Sequence, residues 1–164
     1  TTRGRASGAL AHFIARVQTR VGYGRWMKDA NPPDGFAPAE FSPGFLDHGG
    51  PYFLKERESA PKLVGLRIMP HHINFADAAH GGVISTFADV ALSHAVYDAE
   101  RPRLIPSTIT LAVNYLAGAK LGDWLEADVR IDRLGGRTAY TSGEIVRDGE
   151  PIATMTGVFA IRRG

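Results

Sequence analysis

Apolar residues recur at helical spacing in two stretches of the chain. Between residues 9 and 21, Leu10, Phe13, Ile14, Val17 and Val21 share one helix face, which predicts a short amphipathic helix ending before Gly22 and Gly24. Residues 82–99 predict a longer helix of a different kind. Small or apolar residues surround most of its girth, so it must be covered on more than one side. Elsewhere the period is two. Residues 52–55 and 62–68 read as strands, the second closed by Pro70. Ile109, Leu111, Val113 and Tyr115 alternate with Thr108, Thr110, Ala112 and Asn114, which predicts one face for each set. Leu125, Ala127, Val129 and Ile131 alternate with Glu126, Asp128, Arg130 and Asp132, and residues 138–146 and 152–161 follow as further strands. The breaks fall at 118–122, Gly135-Gly136 and Asp148-Gly149. The last two predict tight hairpins, because glycine supplies the positive φ such turns demand.

The order β-β-α-β-β-β-β predicts an α+β fold: an antiparallel sheet of about six strands wrapped around one long central helix. Residues 29–51 carry Pro32, Pro33, Pro38, Pro43 and Pro51, a density that predicts an irregular arm. The expected organisation is an N-terminal helix and arm over 1–43 and a main domain over 44–164.

Composition narrows the function classes. A chain of 164 residues suits one core, and 44% apolar with 22% charged residues excludes wholesale disorder. Nineteen Lys and Arg against 17 Asp and Glu leave a formal charge of +2, which argues against a dedicated nucleic-acid binder. The absence of cysteine removes disulfides, thiolate nucleophiles and Cys-ligated metals, and is compatible with a cytoplasmic protein. No apolar run reaches the length of a membrane span, and residues 1–5 do not open a secretion signal.

The common nucleotide, serine-hydrolase and zinc-protease motifs are absent. On an extended chain His71 and His72 would point to opposite sides, so no metal is expected between them. The informative segment is Asn74-Phe75-Ala76-Asp77-Ala78-Ala79-His80-Gly81-Gly82, which opens the long helix. Gly81 and Gly82 let a ligand approach backbone N–H groups that have no helical acceptor, at the positive end of the helix dipole. That suits a carbonyl oxygen gaining negative charge, and Asn74 could add an amide donor. The same pair could equally serve a tight turn. Asp89 sits between Ala88 and Val90 in the apolar part of the helix, where a bare carboxylate is costly to bury. It is either satisfied by Ser85, Thr86 or Ser93, or facing solvent, or else a general base or nucleophile. Eight residues at about 1.5 Å rise separate Gly81 from Asp89 by about 12 Å, so one carbonyl cannot meet both within one chain. A shared site would therefore require a symmetric dimer. Asp47-His48-Gly49-Gly50-Pro51 repeats the His-Gly-Gly motif, but no helix is expected to start there.

The spacing of Asn74, His80-Gly81-Gly82 and Asp89, with Ser107–Leu116 and Ala119–Gly122, resembles the hotdog-fold acyl-CoA thioesterases of the phenylacetate-pathway (PaaI-like) type over roughly residues 44–162. The resemblance implies hydrolysis of acyl-CoA to a carboxylic acid and CoA without metal or organic cofactor. It implies Asp89 as base or nucleophile, Gly81 N–H polarising the carbonyl, Asn74 and His80 shaping that pocket, and Thr108 positioning water. Asp89 and Thr108 would come from one subunit, and Asn74, His80 and Gly81 from the other, in a dimer that pairs into a tetramer. Gly82, Lys120, Arg133 and Arg137 are candidates for substrate binding, the three bases for the CoA phosphates. Trp26, Phe36 and Phe41 of the arm either cover an acyl tunnel or pack in the core. Two other readings stay open: a non-catalytic acyl-CoA binding module, and a hotdog hydratase or dehydratase using His80. No nucleic acid or membrane partner is expected.

Overall fold

The computed structural model describes residues 27–41 and 44–163; the expected helix over 9–21 and Trp26 lie outside them. Seven strands form one antiparallel sheet: β1 (Ala37–Pro38), β2 (Tyr52–Lys55), β3 (Leu63–Arg67), β4 (Ile105–Tyr115), β5 (Trp124–Leu134), β6 (Thr138–Arg147) and β7 (Glu150–Arg162), in the order β1-β2-β3-β5-β6-β7-β4. The six expected strands are all present, and the two-residue β1 in the arm adds the seventh. A one-turn helix, α1 (Leu46–Gly49), ends at the second His-Gly-Gly motif, where no helix starts. The long helix, α2 (Gly81–Asp98), packs against β3, β4, β5, β6 and β7. Wrapping by five strands explains the apolar girth: Phe87, Ala88, Leu92 and Val96 are fully excluded from water and meet Leu66, Leu125, Ile145 and Phe159 of the sheet. No helix among the described residues is long and apolar enough to cross a membrane.

The wrap is incomplete. The edges of the sheet, β1-β2 on one side and β4 on the other, leave a seam along the helix. Facing it is the stripe of less buried helix positions Ser85, Thr86, Asp89, Ser93 and Tyr97, spaced as neighbours on one face.

Two local features depart from simple alternation. Thr108 pairs with Phe159 and Thr110 with Val158, so Ile109 is the extra residue of a β-bulge. A bulge reverses the parity of the strand. Leu111 and Val113 pack on the core as expected, but Ile109 is expelled to 59% exposure and Thr108 turns inward instead. The second departure is at a hairpin. Asp148 (φ 52°) and Gly149 (φ 83°) form the expected positive-φ turn. Gly135-Gly136 does not use positive φ; a side chain at Gly135 would instead crowd the Thr138 carbonyl, its Cβ only 3.1 Å away.

The arm is tied down from the sheet's outer face. Phe36 packs with Phe53 and Trp124 in a second small core. Arg67, stacked on Trp124, donates to the carbonyls of Ala30 (2.9 Å), Asn31 (2.8 Å) and Gly122 (2.8 Å). Phe36 is thus a packing residue, whereas Phe41 lies in the seam against Tyr52 and His94.

Candidate active site

Asp89 finds its partner on β4. Thr108 Oγ1 donates to Asp89 Oδ1 at 2.8 Å. The three nearby hydroxyls on its own helix are engaged elsewhere: Thr86 donates to the Gly82 carbonyl, Ser93 to the Val90 carbonyl, and Ser85 meets Tyr115. The bulge makes the pair possible, because unbroken alternation would have placed Thr108 on the face opposite Leu111. The second carboxylate oxygen of Asp89 has no partner among the described residues and faces the seam.

The start of α2 is built around His80. Its backbone N–H donates to the His72 carbonyl at 2.8 Å, and its Nδ1 accepts the Gly82 N–H at 2.9 Å as the helix cap. Gly82 N–H is therefore spent on the cap. Gly81 N–H has no acceptor among the described residues, and a Cβ there would meet nothing nearer than the Tyr115 hydroxyl at 3.6 Å. Asn74 Oδ1 accepts the N–H groups of Ala76 (2.8 Å) and Ala78 (3.3 Å), closing the loop that delivers His80. Only its amide nitrogen is left for a ligand. Asp77 sits exposed in this loop at φ 56°. The Ala79 N–H, bonded to the Ala119 carbonyl at 2.7 Å, ties the loop to the turn carrying Lys120.

Two residues that pattern reading missed complete this end. Tyr115 donates to the Gly81 carbonyl at 3.1 Å, and Ser85 Oγ lies 2.5 Å from the same hydroxyl. The alternation put Tyr115 on the inner face of its strand but gave no sign that the strand's end crosses the helix start. His72 is fully buried, with Nδ1 accepting the Met69 N–H at 3.1 Å. Burial, with His71 adding to it, pushes its imidazole down to about 4. The His71-His72 segment is a 3-10 turn (Pro70–His72) and not extended, which corrects the expectation of divergent rings; they lie 4.0 Å apart. His71 instead reaches the Gly50 carbonyl at 3.0 Å. Among the described residues no cluster of acidic and histidine side chains could hold a metal ion.

The structure separates the candidate bases within one chain. Lys120 belongs to the end where α2 starts, beside the 74–80 loop. Arg133 and Arg137 flank the β5-β6 turn at the other end, where Arg163 joins that turn to Glu100 just beyond α2. All three are exposed.

A family model described as the thioesterase superfamily matches residues 77–153, the segment holding His80, Gly81, Asp89 and Thr108. The protein PA0474 of Pseudomonas aeruginosa, which carries a provisional esterase name, is 37% identical over 79% of this chain and 96% of its own length. The chain belongs to the thioesterase superfamily. It is a thioester hydrolase of the hotdog fold, similar to the PaaI type. The Escherichia coli PaaI protein of the phenylacetic acid degradation operon superposes with a TM-score of 0.63, at 20% identity over 69% of this chain and 80% of its own. The smu.793 protein of Streptococcus mutans, solved bound to acetyl CoA, gives 0.66 at 21% identity over 76% and 95%. The expected fold is thereby borne out.

Proposed function

We propose that this thioesterase hydrolyses acyl-CoA, with Asp89 and Thr108 of one chain facing Gly81 of a second copy. The carrying observation is the Thr108–Asp89 bond in the open seam: a carboxylate on a core helix, held by one hydroxyl and with its other oxygen free. In that position Asp89 accepts a proton from a water that Thr108 helps to orient, and the water oxygen attacks the thioester carbon. Negative charge gathers on the carbonyl oxygen, where the Gly81 N–H at the helix start stabilises it. Collapse breaks the C–S bond, releases the acid, and returns the proton to the CoA thiolate. Direct attack by Asp89, through an anhydride later hydrolysed, uses the same groups.

The separation of about 12 Å along α2 demands the second copy, and β4 offers the surface. It is an 11-residue edge strand paired only with β7 among the described residues, with Ile105, Ile109 and Tyr115 exposed. Such an edge is ordinarily covered. Antiparallel pairing across a two-fold axis carries the Gly81 end of one copy toward Asp89 of the other. The same operation brings Lys120 of one copy toward Arg133 and Arg137 of the other, a basic rim suited to the CoA phosphates. Pairing of such dimers into tetramers is the further assembly the resemblance implies.

A hydratase reading is disfavoured by His80. Its Nδ1 accepts from Gly82, so the neutral ring carries its proton on Nε2 and offers no free basic nitrogen. The test is thiol release from a panel of acyl-CoAs, read with a thiol reagent to which a cysteine-free protein contributes no background. Asp89→Asn should lower turnover by at least about 100-fold; an undiminished rate would overturn the proposal.

A further inference from the structure

The loop that leads into α2 folds back on itself. His80 N–H donates to the His72 carbonyl, Ile73 bridges Ala79, and Asn74 N–H donates to the Ala78 carbonyl at 2.8 Å. The Asn74 side chain braces the turn from within. At the tip Phe75 is fully exposed, and the Asp77 carboxylate has no partner among the described residues. Leu116 and Leu121 are exposed too, in the segment to which the Ala79–Ala119 bond ties this loop. The ring therefore does not stand alone as a stray apolar surface residue.

In the seam, one helical turn past Asp89, lies a cavity of about 630 Å³. Ser93, His94 and Tyr97 of α2, Phe41 of the arm and Pro106 of β4 line it; neither Asp89 nor Thr108 does. Its charged lining is two cations, Lys62 and Arg103, against one acid, Glu40. Lys62 Nζ is taken up by Glu56 at 2.7 Å and Asp98 at 3.7 Å. Arg103 is half-exposed and stacks on Tyr97. Its Nε lies 3.3 Å from Asp98 and its Nη1 donates to the Tyr97 hydroxyl at 3.4 Å, while Nη2 has no acceptor among the described residues.

The shared site fixes how two copies align. Gly81 of one copy opposite Asp89 of the other puts the two-fold axis level with Ser85, and positions equally far before and after Ser85 then face each other. Asp77, eight positions before the axis, comes level with Ser93, eight after it. Phe75, ten before, comes level with the stretch between His94 and Tyr97. We propose that the 75–77 tip of each copy docks in the seam cavity of the other, with the Phe75 ring against Phe41 and Tyr97 and the Asp77 carboxylate on Arg103. The inference rests on the shared-site reading above. Chemistry matches as well as level: a bare ring meets aromatic walls, and an unpaired carboxylate meets a guanidinium with a donor to spare. Docking makes Phe75 a positioning residue. It pins the loop that ends in His80 and Gly81, and so holds the Gly81 N–H opposite Asp89 of the second copy.

The chain has no cysteine, so introduced cysteines report without background. Asp77 and Arg103 sit at opposite ends of α2, whose 18 residues span about 27 Å, beyond the reach of a short bis-maleimide within one chain. Asp77→Cys/Arg103→Cys, treated with that reagent at low protein concentration, should run as a covalent dimer on denaturing gels, and each single variant as a monomer. A second variant weighs the ring. Phe75→Ala removes nothing that one chain buries, and should raise the dimer dissociation constant by at least about tenfold. Its specific activity should fall on dilution at concentrations where the wild type's holds. A wild-type dimer active in thiol release, whose folded double variant gives no covalent dimer, overturns this inference alone. So does a Phe75→Ala chain that associates as tightly as the wild type. A wild type active as a monomer overturns the shared-site reading, and the inference with it.

Discussion

Thr108 and Asp89 are 19 positions apart in sequence and joined by a 2.8 Å hydrogen bond from hydroxyl to carboxylate. The bond exists because a bulge at Ile109 turns a polar residue toward the helix on a strand whose other inward residues are apolar. It leaves one carboxylate oxygen committed and one available. Thr108→Ser retains the donor and should stay within about threefold of the wild-type kcat, while Thr108→Ala should lose about tenfold. Steady-state thiol-release kinetics separate the two; equal rates for Ser and Ala would show that the hydroxyl does not take part.

Gly81 gives a cleaner test than most glycines at active sites. A methyl group there meets only the Tyr115 side chain, its hydroxyl at 3.6 Å and ring carbons at 3.7 and 3.8 Å, all ordinary contacts, so the fold of a single chain tolerates it. Alanine also favours the helix over glycine by up to about 1 kcal/mol. Gly81→Ala should therefore melt no lower than the wild type yet lose at least about tenfold in kcat/KM, because the methyl intrudes on the carbonyl's approach to the N–H. Unchanged kinetics in a normally folded variant would remove Gly81 from the site.

Ile109 reports on assembly. At 59% exposure on an unpaired strand edge, its replacement by Lys should cost one chain little stability. A charge at the centre of a two-chain sheet would nevertheless disrupt the pairing. Ile109→Lys is expected to elute as a monomer in size-exclusion chromatography with light scattering, and to be inactive although folded by circular dichroism. An active monomer would contradict the shared site.

His72 predicts a pH dependence of stability. Its folded-state pKa, lowered to about 4, lies below the ordinary value of 6.5. Between these values the unfolded chain binds a proton that the folded chain refuses. The stabilisation is complete above about pH 6.5 and declines on acidification, by up to about 1.4 kcal/mol per pH unit. His72→Gln should flatten that slope in urea titrations between pH 7 and 5. Since the His72 carbonyl holds the His80 N–H, the acidified wild type should also lose activity as this loop loosens. A slope unaltered by the substitution would place the acid sensitivity elsewhere.

Much of this architecture was legible in the residue pattern, for reasons that particular positions make clear. A helix with Phe87, Leu92 and Val96 on different sides must be wrapped, and period-two strands separated by turns supply the wrapping. Asp89 stood out because its neighbours are apolar. Its partner Thr108 came only through the family resemblance, since alternation assigns it to the wrong face and a bulge leaves no mark in a strand of ordinary composition. Tyr115, at the strand end, meets Gly81 only through the curl of the whole sheet. The arm's proline density announced irregular chain, but its anchorage through Arg67 spans 36 to 37 residues and depends on a guanidinium stacked on Trp124.

The distance between the start of α2 and its acid makes genetic complementation possible. An Asp89→Asn chain keeps a sound Gly81, and a Gly81 variant keeps a sound Asp89. If the site is shared as proposed, each is impaired with its own kind, yet a mixed pair contains one site assembled wholly from unaltered groups. Co-refolding equal amounts of the two would then regenerate about a quarter of the parental sites by random partnering, giving more activity than the two preparations have apart.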